Sequence, residues 1–130
     1  MGVFKVRARI WNPLDPSRSR DVELLVDTGA TYTLIPRDVL EALNIRVLRR
    51  ARLRLADNRV NRVIERPVGE VGIEIEGYRA SATPVVFGYP GVYVLGSVTM
   101  EQLGLAPDPI TKRLRPVEAL LMQSRITTAR

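Results

Sequence analysis

Short segments of alternating apolar and polar residues, each ended by turn-forming residues, run through most of the chain. Residues 3–10 alternate apolar with basic side chains, and residues 50–55 alternate Arg with Ala or Leu. A period of two is typical of β-strands with one buried face. About eight such strands are predicted, at residues 3–10, 22–26, 50–55, 60–65, 71–75, 78–87, 92–95 and 113–122. The pattern therefore predicts an all-β fold, a small closed β-barrel.

Two short helices and several turns complete this prediction. Pro36 suits the first position of a helix over residues 36–43, and Ser97 suits the N-cap of a second helix over residues 98–103. Residues 12–20 are predicted to form a polar turn, and residues 108–112 a hairpin turn. A chain of 130 residues with 45% hydrophobic content fits one domain, here residues 1–130.

The sequence contains no Cys and no His. This composition excludes Ser-His-Asp and Cys-His catalysis, zinc sites built on His or Cys, and disulfides. Catalysis would have to use carboxylates, Lys, Tyr, Ser or Thr. We expect no cofactor and no metal.

The most specific motif is an aspartate at the end of a predicted strand. Asp27-Thr28-Gly29-Ala30 follows the apolar strand of residues 22–26. Downstream, the apolar segment Val94-Leu95-Gly96 leads directly into the second predicted helix. Either motif alone is weak evidence for a function. Asp27 by itself is also consistent with an ordinary turn aspartate. Their occurrence together, in this order, is specific.

These two motifs resemble the active-site signatures of the retroviral-type (retropepsin-like) aspartic peptidases, and the resemblance extends from about residue 22 to residue 121. Only one Asp-Thr-Gly is present. The resemblance therefore implies a homodimer, in which each subunit contributes one Asp27 carboxylate. It also implies an aspartic-type endopeptidase, a hydrolase that cleaves a polypeptide substrate with activated water.

The same resemblance implies roles for further residues. Thr28 would bond across the dimer axis, and Gly29 would let the backbone approach the carboxylate. The hairpin at about residues 50–66 corresponds to the family's flap, and the strand at about 113–122 to its C-terminal strand. The implied substrate-binding residues are Ala30, Leu34, Leu55, Asp57, Asn58, Val94, Leu95 and Gly96.

The chain departs from the viral pattern in three places. Ser97 stands where the viral enzymes have an arginine, and Thr31 where they have an acidic residue. The hairpin tip Asp57-Asn58-Arg59 contains no glycine, although the viral lid relies on glycine for its movement.

Two other functions are consistent with the sequence. The first is a retropepsin-like module, weakly active or inactive, that dimerises and binds peptides. The second is a nucleic-acid-binding β-barrel, suggested by the net charge of +6 and the arginines near residues 50–62. The shortage of aromatic residues near those arginines argues against nucleic acid as a partner. No apolar run is long enough to suggest a membrane span or a signal peptide, so we expect a cytoplasmic protein without a membrane partner.

Overall fold

The computed structural model describes residues 4–56 and 61–122. Within them, the elements are β1 Lys5–Asn12, β2 Asp15–Val26, β3 Thr33–Pro36, α1 Arg37–Ala42, β4 Arg49–Ala56, β5 Asn61–Ile75, β6 Tyr78–Gly88, β7 Val94–Leu95, α2 Ser97–Leu103, β8 Leu105–Asp108 and β9 Arg113–Pro116. Neither helix in these ranges has the length and apolar character needed to cross a membrane.

Seven of the strands form one sheet that closes on itself. Their order is β1-β2-β7-β3-β6-β5-β4, and β1 also pairs with β5, so that six strands form a ring and β4 extends from it. The strands β8 and β9 form a separate two-stranded sheet. The all-β class predicted from the sequence is therefore confirmed, with the strands arranged as a closed ring.

The hairpin of β1 and β2 corrects one prediction. Residues 12–20 were predicted to be a polar turn, but β2 begins at Asp15, and Ser19 and Arg20 pair with Trp11 and Ile10 of β1. The prediction was wrong because this half of β2 is mostly exposed, so hydrophobic alternation does not mark it as a strand. The connection is reduced to the residues between Asn12 and Asp15.

The sheet has apolar residues on both faces, and they form two clusters. The main core fills the ring and contains the fully buried Leu24, Ile35 and Leu95, together with residues of both helices. A second cluster lies on the other face around Ala51, Val68 and Val86. The partly buried side chains of Tyr32, Leu34 and Leu53 pack against it. This second face carries the candidate site described below.

The β4–β5 hairpin corresponds to the predicted flap. Arg50, Arg52 and Arg54 are exposed on one face, whereas Ala51 is buried and Leu53 is half-buried on the other. The alternation predicted for residues 50–55 is therefore confirmed. The hairpin tip, including Asp57 and Asn58, lies outside the described residues.

The last strand is shorter than predicted. The sequence indicated a strand over residues 113–122, but β9 ends at Pro116. Pro116 pairs with Leu105, the first residue of β8, and Gly104 before it already caps α2, so β8 offers β9 no partner beyond Pro116. The residues that follow keep apolar side chains exposed to solvent, namely Val117, Leu120, Leu121 and Met122.

Candidate active site

Asp27 follows directly after β2, at the point where this strand lies beside β7. Leu25 and Val26 pair in parallel with Val94 and Leu95, and the N–H of Asp27 donates to the Leu95 carbonyl at 3.1 Å. Because side chains alternate along a strand, Asp27 falls on the same face as Leu25 and opposite to the buried Val26. Asp27 is exposed. The strand pair thus presents a carboxylate to solvent from a fixed backbone.

The loop after Asp27 folds back onto its carboxylate. The N–H of Gly29 donates to Asp27 Oδ1 at 2.9 Å, and the N–H of Ala30 donates to the Asp27 carbonyl at 3.2 Å. A Cβ atom on Gly29 would lie 3.1 Å from Asp27 Oδ1, which explains the need for a residue without a side chain at this close approach. Thr28 is exposed, and its hydroxyl makes no hydrogen bond to another of the described residues.

The second motif anchors this loop. The N–H groups of Ser97 and Val98, at the start of α2, donate to the carbonyls of Ala30 at 2.8 Å and Thr31 at 3.0 Å. Ser97 was predicted to cap the helix, and that prediction was wrong. Gly96 is the N-cap residue and Ser97 is already helical, so the Ser97 N–H is directed at the loop instead.

Gly96 is required by close packing rather than by its backbone angles. A Cβ atom at this position would lie 2.4 Å from the carbonyl carbon of Tyr32 and 2.8 Å from the nitrogen of Thr33. Distances this short exclude any side chain without movement of one of the two segments. The two motifs are therefore packed directly against each other.

Three buried threonines link α2 to β3 and β6 through their hydroxyl groups. Thr99 Oγ1 of α2 lies 2.6 Å from Thr33 Oγ1 of β3 and 2.8 Å from Thr83 Oγ1 of β6. The Thr33 hydroxyl also accepts a hydrogen bond from the Gly96 N–H at 3.1 Å. All three threonines have 0% exposure, so their hydroxyls are satisfied only by one another and by the backbone.

A row of residues on the second face of the sheet links Asp27 to the hairpin. Successive strands place these residues opposite one another, and the row contains Leu25, Val94, Leu34, Val86, Val68 and Arg49. Val94 and Leu34 are half-buried on this face. Leu95, in contrast, is fully buried in the main core, where it supports the loop from behind.

The site residues inferred from the sequence thus divide into three groups. One group lies in or directly against the loop, namely Asp27, Thr28, Gly29, Ala30, Leu95 and Gly96. Leu34 and Val94 lie on the adjoining face of the sheet, and Leu55, which is 37% exposed, lies on the hairpin. Asp57 and Asn58 lie outside the described residues. Within the part of the chain that the structure describes, no three carboxylates are close enough to hold a metal ion.

Sequence reasoning missed several residues of this region. Thr33, Thr83 and Thr99 were not identified, although a threonine in an otherwise apolar strand or helix is a signal for a buried hydrogen bond. Two tyrosines near the site, Tyr32 and Tyr89, were also missed. Their partners are arginines of the hairpin, and no local pattern in the sequence indicates such long-range pairs.

Comparison with protein families agrees with the geometry of the loop. A family model described as aspartyl protease matches residues 15–102, which is more than half of the chain and includes both motifs. No curated protein matches the sequence.

Proposed function

The chain belongs to the aspartyl protease family, and from that premise we propose that it is an active aspartic endopeptidase whose site forms between two copies of the chain. Each subunit contributes one Asp27. The substrate is a polypeptide, bound along the second face of the sheet between the Asp27 loop and the β4–β5 hairpin.

One observation carries this proposal: each chain presents a single exposed Asp27 on a loop fixed by backbone hydrogen bonds to β7 and α2. The sequence has only one Asp-Thr-Gly. Peptide hydrolysis by carboxylates needs one group to act as a base and another to act as an acid. A two-fold axis next to Asp27 supplies the second carboxyl group from an identical chain.

The chemistry follows from bringing the two carboxyls together. In aspartic proteases generally, two such groups roughly 3 Å apart cannot both ionise, so they share one proton. The ionised group removes a proton from a water molecule as its oxygen attacks the peptide carbonyl carbon. The protonated group donates its proton to the carbonyl oxygen. As the tetrahedral intermediate collapses, the carboxyl that took the water proton donates it to the leaving nitrogen, and the other carboxylate recovers its proton from a hydroxyl of the intermediate.

The loop geometry fits these roles. The hydrogen bond from the Gly29 N–H to Asp27 Oδ1 fixes the orientation of the carboxyl group. The second carboxylate oxygen, Oδ2, is left to face its counterpart and the water. Fixed donors of this kind need no rearrangement during the reaction.

Exposed apolar residues near the C-terminus support the dimer. Leu120, Leu121 and Met122 are 82–90% exposed and follow β9 without covering any part of their own subunit. Side chains of this size are rarely clustered on the surface of a monomer. A second copy of the chain would cover them.

The experiment that tests the proposal compares wild type with Asp27→Asn. Both proteins are incubated with an unstructured protein mixture between about pH 3 and about pH 7, with and without a transition-state mimic of aspartic peptidases. We expect cleavage on the acidic side, blocked by the mimic and absent in the variant, with folding and dimerisation unchanged. Cleavage that survives Asp27→Asn would refute the mechanism. A folded dimer without any cleavage would indicate the peptide-binding module instead.

A further inference from the structure

The two faces of the β4–β5 hairpin carry arginines in different surroundings. Residues directly opposite each other in an antiparallel pair share a face, so Arg49 with Val68, and Ala51 with Arg66, lie on the face of the second apolar cluster. On the other face, Arg50 forms an ion pair with Glu65 at 3.3 Å.

Arg49 and Arg66 each contact a tyrosine, Tyr32 just after the Asp27 loop and Tyr89 in the connection between β6 and β7. The Arg49 guanidinium lies 5.7 Å from the ring centre of Tyr32 and donates a long hydrogen bond of 3.4 Å to its hydroxyl. The Arg66 guanidinium lies 4.4 Å from the ring centre of Tyr89 and donates to the Tyr89 hydroxyl. Stacking of this kind fixes the guanidinium plane.

The two tyrosines lie at opposite ends of β3, with Tyr32 before Thr33 and Tyr89 next to Gly88, the partner of Pro36. Tyr32 follows the Asp27 loop, and its carbonyl packs against Gly96. Tyr89 lies between β6 and β7, and β7 pairs with the strand that ends at Asp27. The two Arg–Tyr pairs therefore lie at the edges of the apolar surface formed by Leu34 and its neighbours.

The positive charges of these pairs are not neutralised by neighbours. Among the described residues, neither Arg49 nor Arg66 lies within ion-pair distance of a carboxylate, whereas Arg50 on the other face does. Each guanidinium has five N–H donors and uses one on a tyrosine oxygen. Each tyrosine hydroxyl, having accepted that hydrogen bond, still has its own proton to donate. An arginine and its tyrosine thus both have donors left for a carboxylate.

We propose that this second face of the sheet selects acidic polypeptides. An apolar residue of the substrate packs on the Leu34 surface. A glutamate or aspartate beside it binds to Arg49 with Tyr32 or to Arg66 with Tyr89. The proposal rests on the function proposed above, since it assigns the substrate class of the same site. Bidentate hydrogen bonding between guanidinium and carboxylate provides the recognition. The apolar surface between the two pairs favours a polypeptide over a nucleic acid, which would need a continuous basic track.

The test measures peptide binding separately from cleavage. Asp27→Asn protein is titrated into labelled peptides that share an apolar centre and differ only in Glu or Gln at the flanking positions, at about pH 6, where glutamate is ionised. Fluorescence anisotropy gives the affinities. We expect the Glu peptide to bind about tenfold more tightly, the effect of one charge-assisted hydrogen-bonded pair.

Variants locate the preference on the structure. Arg49→Gln and Arg66→Gln should each reduce the Glu preference, and Tyr32→Phe and Tyr89→Phe should reduce it less, because they remove a hydroxyl and keep the ring. The matched control is Arg52→Gln, which removes the same charge from the other face of the same hairpin. The preference should be unchanged in that variant.

Several outcomes would overturn the inference. The first two are equal binding of the Glu and Gln peptides and no measurable binding of either. The third is a loss of preference in Arg52→Gln as large as in Arg49→Gln or Arg66→Gln. The fourth is tighter binding of an oligonucleotide than of the Glu peptide. Cleavage by the wild type distinguishes the two proposals. Cleavage of both peptides at the same rate would refute the acidic preference and support the peptidase activity. Selective binding without cleavage would support the acidic preference and refute the peptidase activity.

Discussion

At the scale of single residues, the loop that carries Asp27 is held by backbone hydrogen bonds from α2, and a buried threonine cluster joins α2 to β3 and β6. Ser97 and Thr31 replace the charged residues of the viral pattern. In their place, backbone hydrogen bonds join α2 to the loop, and the Thr33 hydroxyl accepts from the Gly96 N–H. The Thr33–Thr83–Thr99 cluster is therefore an alternative way to fix the site.

This role predicts a specific effect of Thr99→Val. The substitution keeps the shape of the side chain but leaves the Thr33 and Thr83 hydroxyls without their shared partner, at a cost of about 1–3 kcal/mol in the free energy of unfolding. We expect kcat to fall with little change in KM, because the catalytic loop is less well positioned. Urea unfolding and peptide cleavage kinetics measure the two effects.

Thr99→Ser is the control for this prediction. It restores the hydroxyl and loses only a methyl group, so stability and kcat should both recover most of the loss. A Thr99→Val protein as stable and as active as the wild type would contradict the positioning role.

Contiguous motifs were predictable from the sequence, whereas clusters built from distant segments were not. Asp27 and its loop were identifiable because the motif is contiguous and each residue type has a chemical reason. The threonine cluster was not identifiable, because its members come from β3, β6 and α2 and meet only in the folded chain. The Arg49–Tyr32 and Arg66–Tyr89 pairs were missed for the same reason.

At the scale of elements, alternation identified strands with one buried face and failed where both faces are exposed. Strand β4 was predicted correctly because Ala51 and Leu53 alternate with arginines, but β5 is continuous over Asn61–Ile75 where two strands, at residues 60–65 and 71–75, were predicted. The first half of β2 was predicted as a turn, since its residues are polar and its strand pairing with β1 leaves no pattern in the sequence. The end of β9 at Pro116 could not be predicted locally, because it depends on where its partner β8 begins.

The turn between β8 and β9 predicts a pH effect. The backbone N–H of Ile110 donates to the Asp108 carboxylate and lowers its pKa below the usual value. The N–H of Thr111 also donates to this carboxylate and has a smaller effect in the same direction. Because the folded-state pKa is depressed, the contribution of this carboxylate to stability is present above the unfolded-state pKa and is lost as pH falls through the folded-state pKa. An NMR titration of the Asp108 carboxyl should give a midpoint below the ordinary aspartate value. A midpoint at or above that value would contradict the assignment.

We propose that the segment after β9 forms part of the interface of the proposed dimer. Replacing both Leu120 and Leu121 with serine should weaken the dimer at least about tenfold, since burial of each leucine contributes about 1.5–3 kcal/mol. Analytical ultracentrifugation measures the dissociation constant. The control is Leu14→Ser, which removes an apolar side chain that is 79% exposed between β1 and β2. An unchanged dimer in the double variant, or an equal loss in Leu14→Ser, would place the interface elsewhere.

At the scale of the whole molecule, we propose that the chain forms half of a catalytic site. The closed ring of strands gives a rigid support, the β7–α2 segment fixes the Asp27 loop, and the β4–β5 hairpin adds Ala51 and Leu53 to the apolar cluster on the second face. Nothing in a single copy supplies a second carboxylate in the Asp27 motif. The central claim is therefore that one Asp27 from each of two chains acts on the same peptide bond.

Mixing wild type with Asp27→Asn tests this claim most directly. Equal amounts are allowed to exchange subunits, and the cleavage rate is compared with that of wild type at the same total concentration. If both carboxylates are needed, only dimers of two wild-type chains are active, and the rate should fall to about one quarter. A rate of about one half would show that each chain works on its own and would contradict the shared site.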